Sequence, residues 1–243
     1  MIRWIFLDVG NVVLDEDPLT YHVFRRHVEA VRSVRPDLTF DDLLREREAR
    51  VEAGSRWPLF EVVSRYLDEE ATSAVWASVD RAIRAGYPAF SPPVDGIAEV
   101  LDRLAPRYRL GLVANQPREC RDHLAGLGLL DRFEVVVLSE EAGFYKPDPA
   151  LFRLAIEQAG ARPSGCLMVG DRLDADVEPA NEVGMATGWI RWPRRDDKGW
   201  RPSEPEAVAY LRSLERSSRV EPGSVHPTLV MDGVRDLPGA LGV

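Results

Sequence analysis

Residues 2–11, IRWIFLDVGN, set a short apolar run directly before Asp8 and the turn-forming pair Gly10-Asn11. The apolar run at 2–7 is the pattern of a central strand in a parallel sheet, buried on both faces. Similar runs recur at 109–114 (RLGLVA), 134–138 (EVVVL), 166–169 (CLMV), 187–192 (TGWIRW) and 228–231 (TLVM). Helical patterns lie between them. Residues 94–104 set Ile97, Val100, Leu101 and Leu104 on one face, and 149–159 start with Pro149 in the first turn, where a missing N–H costs little. The alternation predicts an α/β fold: a three-layer, Rossmann-like core whose parallel sheet is covered on both faces through right-handed crossovers.

The segment 17–90 breaks this rhythm. It carries helical periodicity at 19–33, 40–53, 58–69 and 71–85, punctuated by Pro18, Pro36, Gly54, Pro58, Gly86, Pro88 and the pair Pro92-Pro93. The pattern predicts an all-helical domain over 17–90, inserted after the first strand, with the α/β core assembled from 1–16 and 91–243. The polar tract 193–226 reads as an exposed excursion holding one helix, 204–216.

Bulk composition narrows the partners. The 243 residues are 45% hydrophobic and 29% charged, as in ordinary soluble domains, with a net charge of −9 and a pI near 5.1. Such a chain repels nucleic acid and anionic membranes, so an anionic substrate needs a local cation or a metal ion. Cys120 and Cys166 stand in unrelated contexts, which is no disulfide framework and predicts a reducing, cytoplasmic setting. The opening MIRWIFLDVG reads as a buried strand, because Asp8 interrupts it too early for a signal peptide. No stretch has the length of a bilayer span.

In open parallel sheets, ligands bind beyond the carboxyl ends of the strands. Asp8 follows the first run, Asn115-Gln116 the second, Lys146 stands just beyond the third, and Gly170-Asp171 with Asp174 and Asp176 follow the fourth. Neighbouring carboxylates suit a hard cation such as Mg²⁺, and a lysine beside them suits a phosphoryl group. Singly, each residue has a plainer reading: Asp8 as a cap, Lys146 as a solvated loop lysine, Gly170-Asp171 as a tight turn. Placement on successive strand ends is what those readings do not predict.

These segments resemble one family, the haloacid dehalogenase-like hydrolases, in which phosphatases dominate. The resemblance rests on FLDVGNVV around Asp8, LGLVAN ending at Asn115, YKPDPALF around Lys146, and VGDRLDADVEPANEVGM with Asp171 and Asp176. It implies a small phosphorylated metabolite as substrate, with Asp8 as a nucleophile that becomes an aspartyl-phosphate. Mg²⁺ would be held by Asp8, Asp171 and the backbone carbonyl of Gly10. Lys146 would steady Asp8 and the phosphoryl oxygens, Asn115 would donate to the phosphate, and Asp176 would orient from behind. The segment 17–90 resembles the family's helical cap. The Asp-x-Gly-Asn-Val opening is similar to that of sugar-phosphate phosphatases in the family.

Two positions depart from the pattern. Gly10 stands where the phosphatases carry a second aspartate as general acid and base, and Ala114 where they carry Ser or Thr. Three readings follow. An active phosphatase would need a deputy acid, for which Asp15 and Asp17 are candidates, although Asp15-Glu16-Asp17 also reads as a solvated turn. A 2-haloacid dehalogenase would need no second aspartate, but Asp171 and Asp176 suit the magnesium form. A binding protein could keep the metal site without turnover. His22, His27 and His123 read as surface or packing residues, and Cys120, near Asn115 in the sequence, as a passive thiol that could approach the site. Arg45, Arg47 and Arg50 read as a solvated helix face that could also meet an anion.

Overall fold

The computed structural model describes residues 1–55, 57–217 and 223–243. The elements run β1 Trp4–Leu7, α1 Asp17–Val34, α2 Phe40–Glu52, α3 Pro58–Val63, α4 Glu69–Phe90, α5 Ile97–Leu104, β2 Arg109–Ala114, α6 Glu119–Gly126 and β3 Val135–Leu138. There follow α7 Ser139–Ala142, α8 Pro149–Gln158, β4 Cys166–Gly170, α9 Glu178–Glu182, β5 Ala186–Ile190, α10 Pro205–Ser217, β6 Leu229–Met231 and α11 Leu237–Ala240. The strands predicted at six apolar runs form one parallel sheet in the order β3-β2-β1-β4-β5-β6.

Side chains alternate across this sheet, as the pleat requires. Ile5 and Leu7 of β1 join Leu112, Val169 and the apolar face of α5 (Ile97, Leu101, Leu104) on one side. Trp4 and Phe6 join Val113, Met168 and the Leu151-Phe152-Ala155 face of α8 on the other. Three layers result. β1 lies between β2 and β4, with Leu7 in register with Leu112 and Val169. The residues just past these strands therefore share one rim.

The helical segment has its own apolar cluster, in which Tyr21, Phe24 and Val28 of α1 meet Phe40 and Leu43 of α2 and Val62 of α3. Predicted 58–69 is shorter in the structure: α3 ends at Val63, and Asp68, accepting from Ala71 N–H, caps the start of α4. α4 runs five residues past the predicted end. It continues through a kink at Gly86, two residues before Pro88.

The tract 193–226 differs most from its expectation. Residues 218–222 lie outside the described part of the chain. Of the remainder, α10 brings Ala207, Tyr210 and Leu214 into the apolar cluster of α1–α3, and Lys198 is wholly buried. Polarity concealed this because the apolar face of α10, with Ala207, Tyr210 and Leu214, lies within a tract that is polar on both sides of it.

Candidate active site

β1 ends inside the sheet, so Asp8 stands at the rim with only 8% of its surface exposed. Its N–H continues the ladder to the Val169 carbonyl, and its Oδ1 accepts from the Val9 N–H at 2.8 Å. Lys146 arrives from the loop before α8. Its ammonium lies 2.7 Å from Asp8 Oδ1 and 2.5 Å from Asp176 Oδ1, buried between them. Asp171 follows β4, and one carboxylate oxygen each from Asp8, Asp171 and Asp176 lie within 4.8 Å of one another.

Asp176 is set by an unusual turn. In the wide turn after β4, the Val177 N–H reaches back five residues to the Arg172 carbonyl, and Asp176 Oδ2 accepts from the Arg172 N–H at 3.0 Å. Its carboxyl packs closely on Gly170, where a Cβ would come within 2.2 Å of it. Both oxygens of Asp176 are thus committed, one to Lys146 and one to the backbone.

The electrostatics follow from burial. Desolvation lifts the Asp8 carboxyl well above its usual range; Lys146 opposes this, while Asp176 and Asp171 add to it. Asp171 is raised by burial and then by Asp176. Burial alone would lower Lys146, but Asp176 and Asp8 together outweigh it and hold the ammonium above its ordinary value. Three acids facing one lysine leave an excess of negative charge at the rim. The donors are hard oxygens, the set a small divalent cation prefers.

Asn115 stands at the same rim, with its amide bracketing the Lys146 backbone: Oδ1 accepts from Lys146 N–H at 2.7 Å, and Nδ2 donates to Lys146 O at 2.9 Å. Gly10 lies two residues past Asp8, and Ala114 is buried at the end of β2. Asp15 and Asp17 face away from a role in proton transfer. Asp15 accepts from Asp17 N–H and Trp200 N–H, and both acids pair with buried Lys198, at 3.0 and 2.6 Å.

Three residues escaped the sequence. Asn11, at φ 56°, uses a left-handed conformation that Asn tolerates. It donates to Asp171 Oδ2 at 3.0 Å and accepts from Lys198 Nζ at 2.6 Å. Lys198 itself lies in the polar tract and carries no local motif. Glu16, between the two predicted candidates, turns its carboxyl toward Gly10 and Gln116 rather than toward Lys198. Gln116 Nε2 donates to its Oε1, and burial pushes its carboxyl up to about 7, against that hydrogen bond. A sharper signal was available: a glycine two residues past Asp8 leaves a hole that some nearby side chain must fill.

The plainer readings describe the remaining residues. His123 meets the Ser91 carbonyl, His22 lies tilted against Phe90, and His27 lies against Trp76. Burial raises the Cys120 thiol to about 12. Arg45 and Arg50 pair with Asp42 and Glu61, whereas Arg47 lies over the Tyr210 ring. Arg47 also borders a cleft of about 540 Å³ together with Arg172, Arg195, Asn11 and Asp171. A second cleft of about 340 Å³ is bordered by Glu16, Tyr87, Asn115, Gln116 and Ser139.

Comparison with known proteins identifies the family. The haloacid dehalogenase-like hydrolase family model matches residues 2–184. Phosphoserine phosphatase of Thermus thermophilus is 35% identical over 170 residues, covering 67% of this chain and 65% of that protein, a little under two thirds of its length. Glyceraldehyde 3-phosphate phosphatase of Methanopyrus kandleri is 30% identical over 210 residues, covering 81% and 90%. The magnesium-bound HAD-hydrolase YfnB of Bacillus subtilis superposes with a TM-score of 0.63 at 18% identity, over 100% of this chain and 99% of that one, a likeness of fold. With that family model matching residues 2–184, the chain belongs to the haloacid dehalogenase-like hydrolases.

Proposed function

We propose that this hydrolase is a magnesium-dependent phosphatase acting on a small phosphomonoester through an aspartyl-phosphate on Asp8. The observation that carries the proposal is the buried Asp8–Lys146–Asp176 chain with Asp171 beside it. Lys146 points one Asp8 oxygen and leaves the other to attack phosphorus. The ammonium also offers charge to the phosphoryl oxygens as they develop it. Asp176 positions that ammonium, since both its oxygens are already bonded within the protein.

Asp8, Asp171 and the Gly10 carbonyl would hold Mg²⁺, which when bound supplies positive charge opposite the phosphoryl group. Asn11 keeps the Asp171 carboxylate turned inward. Asn115 has a second amide N–H with which to meet the phosphate. The relatives named as phosphoserine and glyceraldehyde 3-phosphate phosphatases favour small substrates with one phosphate. Helices α1–α4 act as a cap that excludes water from the rim. Among the described residues no helix is long and apolar enough to cross a membrane. Cys120 and Cys166 are buried and unjoined, which suits the cytoplasm.

The test is hydrolysis of 4-nitrophenyl phosphate and of a panel of metabolite phosphates, with and without Mg²⁺. Turnover should require the metal and vanish in Asp8→Asn. Metal-independent chloride release from 2-chloropropionate would replace this proposal with a dehalogenase. Absence of both activities, with Mg²⁺ still raising the Tm, would replace it with a metal-binding protein that has lost turnover.

A further inference from the structure

Cleaving an alkyl phosphate requires a proton for the leaving oxygen, and hydrolysing an acyl-phosphate requires a base for water. The rim offers few groups for this. Lys146 is held as an ammonium between two acids, and Asp176 is bonded at both oxygens. Asp15 and Asp17 are tied to Lys198. Asp171 faces Asn11.

Glu16 remains. A Cβ built on Gly10 would have as its three nearest neighbours Glu16 Oε2 at 2.5 Å, Cδ at 2.8 Å and Oε1 at 3.2 Å. The Glu16 carboxyl therefore fills the volume that a side chain at position 10 would claim, two residues from Asp8. Gln116, adjacent to Asn115, holds it there through Oε1. The same carboxyl borders the 340 Å³ cleft, where a leaving group has room.

We infer that Glu16 is the general acid and base of this enzyme, reaching from the start of α1 into the place left open by Gly10. The inference rests on the phosphatase reading above. In the first half-reaction an Asp8 oxygen bonds to phosphorus while the bond from phosphorus to the leaving oxygen breaks. That oxygen takes the proton of the Glu16 carboxyl, so a neutral alcohol departs and Glu16 is left as carboxylate. In the second, a water oxygen bonds to phosphorus as Glu16 takes its proton. The bond from phosphorus to Asp8 breaks, and its electron pair restores the Asp8 carboxylate. One water is consumed, and one alcohol and one phosphate are released.

Rapid-mixing hydrolysis of 4-nitrophenyl phosphate by the full chain with Mg²⁺ tests this. Nitrophenolate leaves without a proton, so Glu16→Gln should give a burst equal to the enzyme present. Its steady turnover should then be slower than wild type by about 10² to 10⁴. Asp8→Asn should show neither burst nor turnover. The variant Gly10→Asp with Glu16→Ala moves the carboxyl to position 10 while vacating its space, and should turn over at least about tenfold faster than Glu16→Ala alone. Tm values confirm that each variant is folded.

Steady turnover of Glu16→Gln within about threefold of wild type, with Asp8→Asn inactive, would overturn the role of Glu16 and leave the phosphatase reading standing. A folded double variant no faster than Glu16→Ala would also count against it. Wild-type turnover that survives Asp8→Asn, or is absent, would overturn both.

Discussion

The ammonium of Lys198 lies 2.6 Å from a carboxylate oxygen of Asp17, a fully buried pair joining the start of α1 to the polar tract beyond β5. Asp15 sits 3.0 Å from the same nitrogen, and Asn11 accepts from it at 2.6 Å. The lysine therefore holds together the turn after β1, the entry to the helical segment and, through Asn11, Asp171.

Removing that cation takes the ammonium from two buried acids and leaves Asp17 to Arg195 at 3.4 Å. Lys198→Met should cost about 3–5 kcal/mol, a fall in Tm of roughly 6–20 °C for a chain of this size. Adding Asp17→Asn to Lys198→Met should recover part of the loss, a coupling that a double-mutant cycle of thermal unfolding would read.

Asp171 opposes itself to Asp8 and Asp176 across less than 4.8 Å, and its carboxyl is raised by burial and then by Asp176. Asp171→Asn removes a charge from that crowd. Without metal its Tm at neutral pH should be at or above wild type. Mg²⁺ should raise the wild-type Tm and leave the variant's nearly unchanged. A magnesium titration followed by thermal unfolding gives both comparisons.

Gly170 is needed for contact rather than for conformation. Its added Cβ would meet Asp176 Cγ and Oδ2, each at 2.2 Å, and Asp176 cannot yield without releasing Lys146. Gly170→Ala should cost about 1–3 kcal/mol and lower turnover, because the ammonium no longer sits over Asp8. Gly126→Ala, whose Cβ would meet nothing within 4 Å, is the matched control and should leave turnover unchanged.

The helical segment should weaken in mild acid at His27. Burial holds this imidazole below its ordinary value of 6.5, opposed by a hydrogen bond from Nδ1 to the Val23 carbonyl, and buried Nε2 has no partner among the described residues. As the pH falls below 6.5, the unfolded chain binds a proton that the folded chain refuses, so folding loses stability. That contribution is complete above 6.5 and declines below it. His27→Gln should flatten this part of the Tm profile between pH 7 and 5, measured by calorimetry.

Much of the rim was legible in the residues. Asp8, Asn115 and Asp171 each follow an apolar run, and Lys146 lies a few residues beyond another, past the short helix α7, so strand ends mark them without knowledge of contacts. Glu16 was not legible beside Asp15 and Asp17. Within three residues of a turn, sequence does not say which carboxyl faces the sheet end and which faces inward. Lys198 was hidden for a different cause, since its partners lie near the other end of the chain and leave no local pattern.

The amino-acid sequence alone therefore determined the parallel sheet, the inserted helices and the acids at the strand ends, because burial of apolar surface imposes a period on the chain. Tertiary structure decided that α10 joins the helical segment, that Lys198 binds Asp15 and Asp17, and that the Glu16 carboxyl fills the hole above Gly10. Those choices depend on volume and charge brought together across the fold, which no periodicity along the chain encodes.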